Sequence, residues 1–298
     1  MSTLKRFVKD TAIYGLATTL PRVMNIILLG LHTDILATTG YAVNTRFYVW
    51  AAFFNVLLTY GMETAFFRFF AKQEAKNRVY ATVLIALTSS TITFFLIVLF
   101  FRNDLSLWLD LDVKFFIYLI LILMLDTLVV APFAHLRAQG KALKFAGIKL
   151  SNLAIYVVLN FFFLWAIPFY GWQFSWYDGN QQVQYIFIAN VAASLVTFLL
   201  IVPDFFKIQW VFDRKLFMQL WQYGWPIMIA GLAFVVNENL DKLLLGKMLD
   251  DDIMGSYAGC YKLAVFMTIF IQAFRLGAEP FFSIMPPLRM PNKPMRPS

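Results

Sequence analysis

The chain has 298 residues, of which 60% are hydrophobic and only 14% are charged, with a formal net charge of +8. Soluble domains are about 45–50% apolar and about 25% charged, so this composition excludes an ordinary soluble protein. Apolar runs of about twenty residues recur, whereas a transmembrane barrel would show short alternating segments. We therefore predict an all-α polytopic membrane protein.

Eight membrane-spanning helices are predicted along the chain. They are residues 11–33, 43–67, 79–101, 114–134, 146–169, 183–203, 216–238 and 253–277. We expect the first six to form an N-terminal lobe (1–206) and the last two to begin a second lobe (207–282). The final segment, 283–298, is rich in proline and cannot continue a helix, so we expect it to be a disordered tail.

The second span is bracketed by arginines. Between Arg46 and Glu63 lie sixteen consecutive uncharged residues. The 22 steps from Arg46 to Arg68 cover roughly 33 Å of helix, close to the ~30 Å thickness of the hydrocarbon core. This pattern predicts one continuous helix with Glu63 in its last turns. An acid at that depth faces either a cavity or ion path, or an ion pair with another helix.

The segments between the spans alternate in charge. The N-terminal segment and residues 68–78, 135–149 and 204–215 are rich in Lys and Arg. The remaining segments, 34–46, 102–114, 170–182 and 239–252, are poorer in them. The positive-inside rule therefore predicts a multi-pass protein of the cytoplasmic (inner) membrane with a cytoplasmic N-terminus. The Trp and Tyr residues of 170–182 are typical of an aromatic belt at the outer interface.

Polar residues inside the spans are the candidates for function. Asp126 lies about 18 Å along its helix from Lys114, near the middle of the membrane. It either lines a cavity and couples an ion, or makes a structural hydrogen bond. Asn160 and Asn190 are more typical of hydrogen bonds between helices than of substrate ligands.

Several charged residues could bind an anionic group. Arg22 shares a helix face with Asn25, three residues later. Arg22 and Arg275 are the best candidates, because guanidinium binds phosphate in a bidentate geometry, although snorkelling to the interface is the alternative. Near the end of the seventh span, the i,i+4 spacing of Glu238 and Lys242 permits an ion pair within the helix.

Other chemistry is not indicated. Cys260 is the only cysteine, so no intrachain disulfide can form. His32 and His135 lack the spacing of metal ligands, so we expect no metal site. Since the basic residues cluster between apolar runs, they are topology signals rather than a nucleic-acid surface. No nucleotide-binding or catalytic motif stands out, so we predict a protein that is not an enzyme and uses no cofactor.

Five segments resemble bacterial polysaccharide-biosynthesis flippases of the O-antigen type. They are KDTAIYGLATTLPRVMNIILLGLHTDIL at 9–36, YGMETAFFRFF at 60–70, the stretch 126–160, ENLDKLLLGKML at 238–249 and AFRLGAEPFF at 273–282. These flippases belong to the multidrug/oligosaccharidyl-lipid/polysaccharide exporter superfamily. The resemblance covers about 1–282 and is most specific at 60–70 and 136–149. Since that family has twelve to fourteen helices, we expect this chain to be truncated at its C-terminus.

The resemblance implies that a lipid-diphosphate-linked oligosaccharide crosses the membrane by alternating access, driven by an ion gradient or potential. It implies a cationic cavity between two lobes. Candidates for binding the glycan are Arg22, Asn25, Arg46, Arg68 and Arg275, and candidates for ion coupling are Glu63 and Asp126. Expected partners are polyprenyl-diphosphate-linked glycans, membrane lipids, glycan polymerases and glycosyltransferases. The alternatives are a cation-coupled multidrug exporter of the same superfamily and a membrane-embedded enzyme or assembly factor for polyprenyl glycans.

Overall fold

The computed structural model describes residues 3–72, 76–205 and 210–264, with only the backbone described for 3–12 and 72. Within these ranges all regular structure is helical, which confirms the all-α prediction. The helices are α1 (Thr3–Ile35), α2 (Thr38–Thr59), α3 (Met62–Lys72), α4 (Lys76–Phe100), α5 (Arg102–Trp108), α6 (Val113–Ala138), α7 (Ala142–Asn160), α8 (Ile167–Tyr170), α9 (Gln182–Phe205), α10 (Arg214–Met248) and α11 (251–264). A π-helical segment, Phe161–Ala166, joins α7 to α8.

Five stretches of the described residues are long and apolar enough to cross a membrane. They are Ile13–Ile35, Lys76–Phe100, Val113–Ala138, Ala142–Tyr170 and Gln182–Phe205. These coincide with five of the eight predicted spans. The other three overlap α2 with α3, α10 and α11, and the predicted span 253–277 and tail 283–298 extend outside the described residues.

The prediction of one continuous helix from Arg46 to Arg68 is wrong, because the helix is interrupted at Tyr60 and Gly61. Both residues have positive φ, 33° and 71° respectively. A residue in the left-handed conformation ends a helix, and glycine adopts it at little cost. The break places Glu63 in the first turn of a new helix, α3, where the helix dipole favours an acid.

The break also lets α10 approach closely. A Cβ atom added at Gly61 would overlap the backbone carbonyl of Gly224, and one added at Gly224 would lie 2.8 Å from the carbonyl oxygen of Tyr60. Further along the same contact, a Cβ at Gly231 would lie 3.0 Å from a methyl group of Val56. Small residues therefore allow α10 to pack directly on α2 and α3, as is common between membrane helices.

Ion pairs show which helix ends lie together. At one end, Glu63 of α3 pairs with Arg137 of α6 at 2.6 Å, and Lys144 pairs with Asp204. These residues lie in or next to the segments predicted to be cytoplasmic, so we name this the inner end. At the opposite, outer end, Arg46 pairs with Asp110 at 3.2 Å and with Asp251.

Two apolar cores lie above and below a polar layer. The inner core includes Met62, Phe66 and Leu84, and the outer core includes Phe47 and Phe187, whose rings stack at 3.8 Å. On α6, α7 and α9, several polar residues lie between these cores or at their edges. They are Asp126, Thr127, Asn152, Tyr156, Asn190, Ser194 and Thr197. Since polar groups are costly inside a membrane, a polar layer of this kind is typical of a functional site.

Candidate functional site

A cavity of about 390 Å³ opens in the inner half of the bundle, and we name it the inner cavity. Its charged lining residues are Glu63, Asp126, Arg137 and Lys149. Glu63 and Arg137 are paired and roughly half exposed, and the Arg137 guanidinium lies 4.8 Å from the ring centre of Phe67. The ion pair that was the alternative interpretation of Glu63 is therefore present, at the mouth of a cavity.

Asp126 lies deeper in the inner cavity. Its side chain is hydrogen-bonded to Ser194 and interacts electrostatically with the ammonium group of Lys149. The Lys149 side chain is exposed, and its Nζ lies 4.6 Å from the ring centre of Phe133. An acid and a base from different helices therefore face the same cavity, where each lowers the cost of the other's charge.

A second cavity, of about 480 Å³, lies in the outer half between α1, α2, α7, α9, α10 and α11, and we name it the outer cavity. Its charged lining residues are Lys242 and Lys262. Lys242 is only 5% exposed. Its ammonium donates to the backbone carbonyl of Glu238, lies 3.3 Å from the Asp241 carboxylate and sits 3.7 Å from the ring centre of Tyr261. The Glu238 carboxylate instead accepts a hydrogen bond from Tyr261, at 2.9 Å.

The inner and outer cavities meet at Asn152 and Asn190, which line both of them. Asn152 donates to the hydroxyl of Thr197 at 2.9 Å, and Asn190 donates to the hydroxyl of Tyr48 at 3.0 Å. Two polar spaces are therefore stacked through the middle of the apolar bundle, with Asn152 and Asn190 between them.

Buried hydrogen bonds hold the helices around this junction. Tyr48 lies 3.4 Å from Tyr156, oxygen to oxygen, and Asn160 donates to the backbone carbonyl of Tyr156 at 2.8 Å. Asn160 Oδ1 lies 2.9 Å from Nε2 of the buried His32. With the bond from Asn190, these contacts tie α1, α2, α7 and α9 together. They confirm the interpretation of Asn160 and Asn190 as inter-helix hydrogen-bonding groups.

The described lining of the two cavities carries an excess of positive charge. Its acids are Glu63 and Asp126, and its bases are Arg137, Lys149, Lys242 and Lys262. Lys242 is paired with Asp241, so an excess of one positive charge remains, which favours anions over cations. In the part of the chain that the structure describes, no cluster of three potential metal ligands occurs.

The sequence also matches a known protein family. A model of a family described as polysaccharide biosynthesis protein matches residues 7–283. The chain belongs to this family. The matched range contains every residue that lines the two cavities. Comparison with curated proteins and with solved structures gave no match.

The structure places the predicted site residues of this polysaccharide biosynthesis protein in different parts of the helix bundle. Glu63 and Asp126 line the inner cavity, and Asn25 lines the outer cavity. Arg22 lies exposed on α1, one turn before Asn25. Asn25 is therefore the one predicted glycan-binding residue among the described residues that lines a cavity.

The other predicted arginines are elsewhere. Arg46 is only 6% exposed, and its guanidinium binds two carboxylates at the outer end, which joins α2 to α11. Arg68 lies at the inner end over the ring of Tyr223, 4.2 Å from its centre, which joins α3 to α10. Arg275 lies outside the described residues.

Sequence reasoning missed the cavity cations. Arg137 and Lys149 belong to the basic segment 135–149, which was interpreted as a topology signal. Lys242 was interpreted as part of a helix end, and Lys262 was not noticed. The available signal for Lys149 was its helical register, since Asn152 lies three residues later on the same face.

Replacement of Asn160 by Ala is expected to reduce the free energy of unfolding by about 1–3 kcal/mol, because it leaves the buried His32 nitrogen without this partner. Chemical denaturation in detergent micelles measures the effect. Asn25→Ala is the control, since Asn25 is exposed on the cavity wall and its loss is expected to cost about 0.5 kcal/mol or less. Equal losses in the two variants would contradict the structural role of Asn160.

Proposed function

We propose that this protein moves a lipid-diphosphate-linked oligosaccharide across the cytoplasmic membrane for the synthesis of cell-surface polysaccharide. The observation that carries the proposal is the pair of polar cavities that meet at Asn152 and Asn190. A polar head group cannot cross a bilayer core unaided, and polar cavities stacked through the helices would replace its hydration. The family assignment supports polysaccharide as the end product.

The charge of the path favours an anionic cargo. Four basic and two acidic side chains line the described cavity walls. Glu63 is paired with Arg137, Asp126 interacts with Lys149, and Lys242 is paired with Asp241, so the net excess is one positive charge. A cation-coupled multidrug exporter would need an acid-dominated path, so this balance favours the diphosphate over a cationic drug. In this proposal Lys149 binds the diphosphate, because its ammonium is exposed inside the inner cavity.

Alternating access would act through contacts at the two ends of the bundle. The Arg46 cluster joins α2 to α11 at the outer end, and the Arg68–Tyr223 contact joins α3 to α10 at the inner end. If the lobe that begins at α10 moves away from the N-terminal lobe at one end of the bundle, the contact at that end breaks. The contact at the other end holds. Arg22 and Arg275 remain proposed for attracting the anionic group.

Asp126 is the better of the two candidates for ion coupling. Glu63 lies at the cavity mouth in an ion pair with Arg137, whereas Asp126 lies in the middle of the bundle beside Ser194. Binding of a proton or cation at Asp126 would weaken its attraction for Lys149 and free that ammonium for the diphosphate. Coupling and cargo binding would then compete at one pair of side chains.

Transport in proteoliposomes tests the proposal. A fluorescent polyprenyl-diphosphate-linked oligosaccharide is incorporated, and a membrane-impermeant quencher reports the fraction that has changed leaflet. The protein is expected to accelerate this exchange over protein-free liposomes. Asn152→Trp, which fills the junction of the cavities, is expected to abolish the acceleration.

The matched control is Val158→Trp, since Val158 is on the same helix, is 63% exposed and lines neither cavity. It is expected to retain wild-type exchange. Exchange no faster than in protein-free liposomes would argue against the flippase. Ion-driven efflux of ethidium in its place would favour the multidrug exporter.

A further inference from the structure

The segment between α8 and α9 forms part of a third cavity, which the proposed transport path does not use. This cavity, named here the loop cavity, has a volume of about 500 Å³ and lies at the outer end between the segment, α6 and α9. Its volume falls in the roughly 300–1,000 Å³ range of small-molecule sites. The polar residues that line it include Lys114, Asp178, Gln181 and Gln184.

The segment is held in a defined conformation. The hydroxyl of Tyr185 on α9 accepts a hydrogen bond from the backbone N–H of Asp178 at 2.6 Å. The hydroxyl of Tyr177 donates to the backbone carbonyl of Phe163 at 2.9 Å, and the Tyr177 ring stacks on Tyr185 with centres 4.7 Å apart. Asp178 also accepts from the backbone N–H of Asn180. These contacts pre-organise the cavity wall, which reduces the entropy cost of binding.

An aromatic ring stands at the rim of the loop cavity. Trp176 is 56% exposed and stacks on Phe174, with ring centres 5.0 Å apart and planes 16° from parallel. An interfacial belt needs only aromatic rings at the level of the head groups. Here a carboxylate, two amides and an ammonium group surround the same space, so the arrangement is more specific than a belt.

The loop cavity has no excess charge that would select an anion. The Lys114 ammonium donates to the side-chain oxygen of Gln184, which is 5% exposed, and Asp178 contributes one negative charge to the same lining. A phosphate-containing head group in this cavity would bring a second negative charge close to the Asp178 carboxylate, and the two would repel each other. An uncharged, hydroxyl-rich ligand meets no such repulsion.

We infer that the loop cavity is a saccharide-binding site for uncharged pyranose units. One face of a pyranose presents C–H groups, which pack on an indole ring such as that of Trp176. Its equatorial hydroxyls both donate and accept, which suits the carboxylate of Asp178 and the amide of Gln181. The inference deepens the proposed function, because it gives the emerging glycan a place to bind at the outer surface.

Equilibrium binding of soluble oligosaccharides to the purified full chain in nanodiscs tests the site. The probes are maltotetraose, chitotetraose and mannotetraose, and saturation-transfer NMR reports which sugar protons contact the protein. We expect saturable binding of at least one probe, with Trp176→Ala weakening it about tenfold or more. Gln181→Ala is a second, milder variant and is expected to weaken the same binding several-fold.

Trp165→Ala is the matched control. Trp165 is also exposed and stacked, on Phe169, but it does not line the loop cavity, so its loss should leave binding unchanged. Absence of saturable binding for all three probes would overturn the inference. Equal weakening by Trp165→Ala and Trp176→Ala would also overturn it, in favour of an interfacial belt.

The two proposals fail separately. Saccharide binding at the loop cavity without lipid-linked exchange would reject the flippase alone. Lipid-linked exchange without saccharide binding would reject the loop cavity site alone.

Discussion

Replacement of Gly61 by Ala is expected to reduce the free energy of unfolding by about 2–5 kcal/mol. Gly61 has a φ of 71°, a conformation that costs other residues roughly 1–2 kcal/mol. The new methyl group would also overlap the backbone carbonyl of Gly224, and forced overpacking adds about 1–3 kcal/mol. Since the obstacle is backbone rather than a flexible side chain, α10 must move away from the break between α2 and α3.

Denaturation in detergent micelles and proteolysis of the α9–α10 connection measure this effect. The expected result is lower stability together with faster cleavage, because α10 is no longer held against α3. Gly147→Ala is the control, since Gly147 is a helical glycine on α7 where an added methyl group would meet open space. It is expected to leave stability unchanged or to raise it slightly. Wild-type stability of Gly61→Ala would show that the close contact with Gly224 is not formed.

Replacement of Lys149 by Met is expected to slow lipid-linked oligosaccharide exchange by about 10- to 100-fold. Removing a hydrogen bond to a charged group costs about 1.5–3 kcal/mol, and each 1.4 kcal/mol corresponds to a factor of ten. Methionine keeps the length and packing of the side chain over Phe133 but removes the charge that faces the inner cavity. Because the loss of this charge also leaves Asp126 without its cation, stability is expected to fall somewhat, so exchange is compared per amount of folded protein.

Lys144→Met is the matched control, on the same helix and also exposed. Lys144 pairs with Asp204 at the inner end and lines neither cavity, so its replacement should leave the exchange rate near that of the wild type. Partly exposed ion pairs of this kind contribute about 1 kcal/mol or less to stability. Similar exchange rates for Lys149→Met and the wild type would remove Lys149 from the proposed binding site.

The second predicted span contains a helix break that its hydrophobic length did not predict. Its hydrophobic length was recognised, but length alone does not reveal a break when the run stays uncharged. Tyr60–Gly61 carried the only local signal, since glycine is favoured just beyond a helix end. What the local sequence could not show is the packing that the break permits, the close approach of Gly224 on α10.

Charge patterns did not predict the roles of individual charged residues. Both Arg46 and Lys149 stand near predicted span ends. Arg46 meets the carboxylates of Asp110 and Asp251 and is buried, whereas Lys149 faces a cavity and is exposed. Nothing in the local sequence distinguishes the two cases, because the partners come from other helices.

The sequence by itself determined that this protein is an all-helical membrane protein with charged segments that alternate between two ends. This follows because a chain in lipid must satisfy its own backbone hydrogen bonds within each span. Only the tertiary structure decided which polar groups meet. His32 and Asn160 are 128 residues apart, and Tyr48 and Asn190 are 142 apart. The helical period places a residue on a face, but the packing of whole helices determines what that face touches.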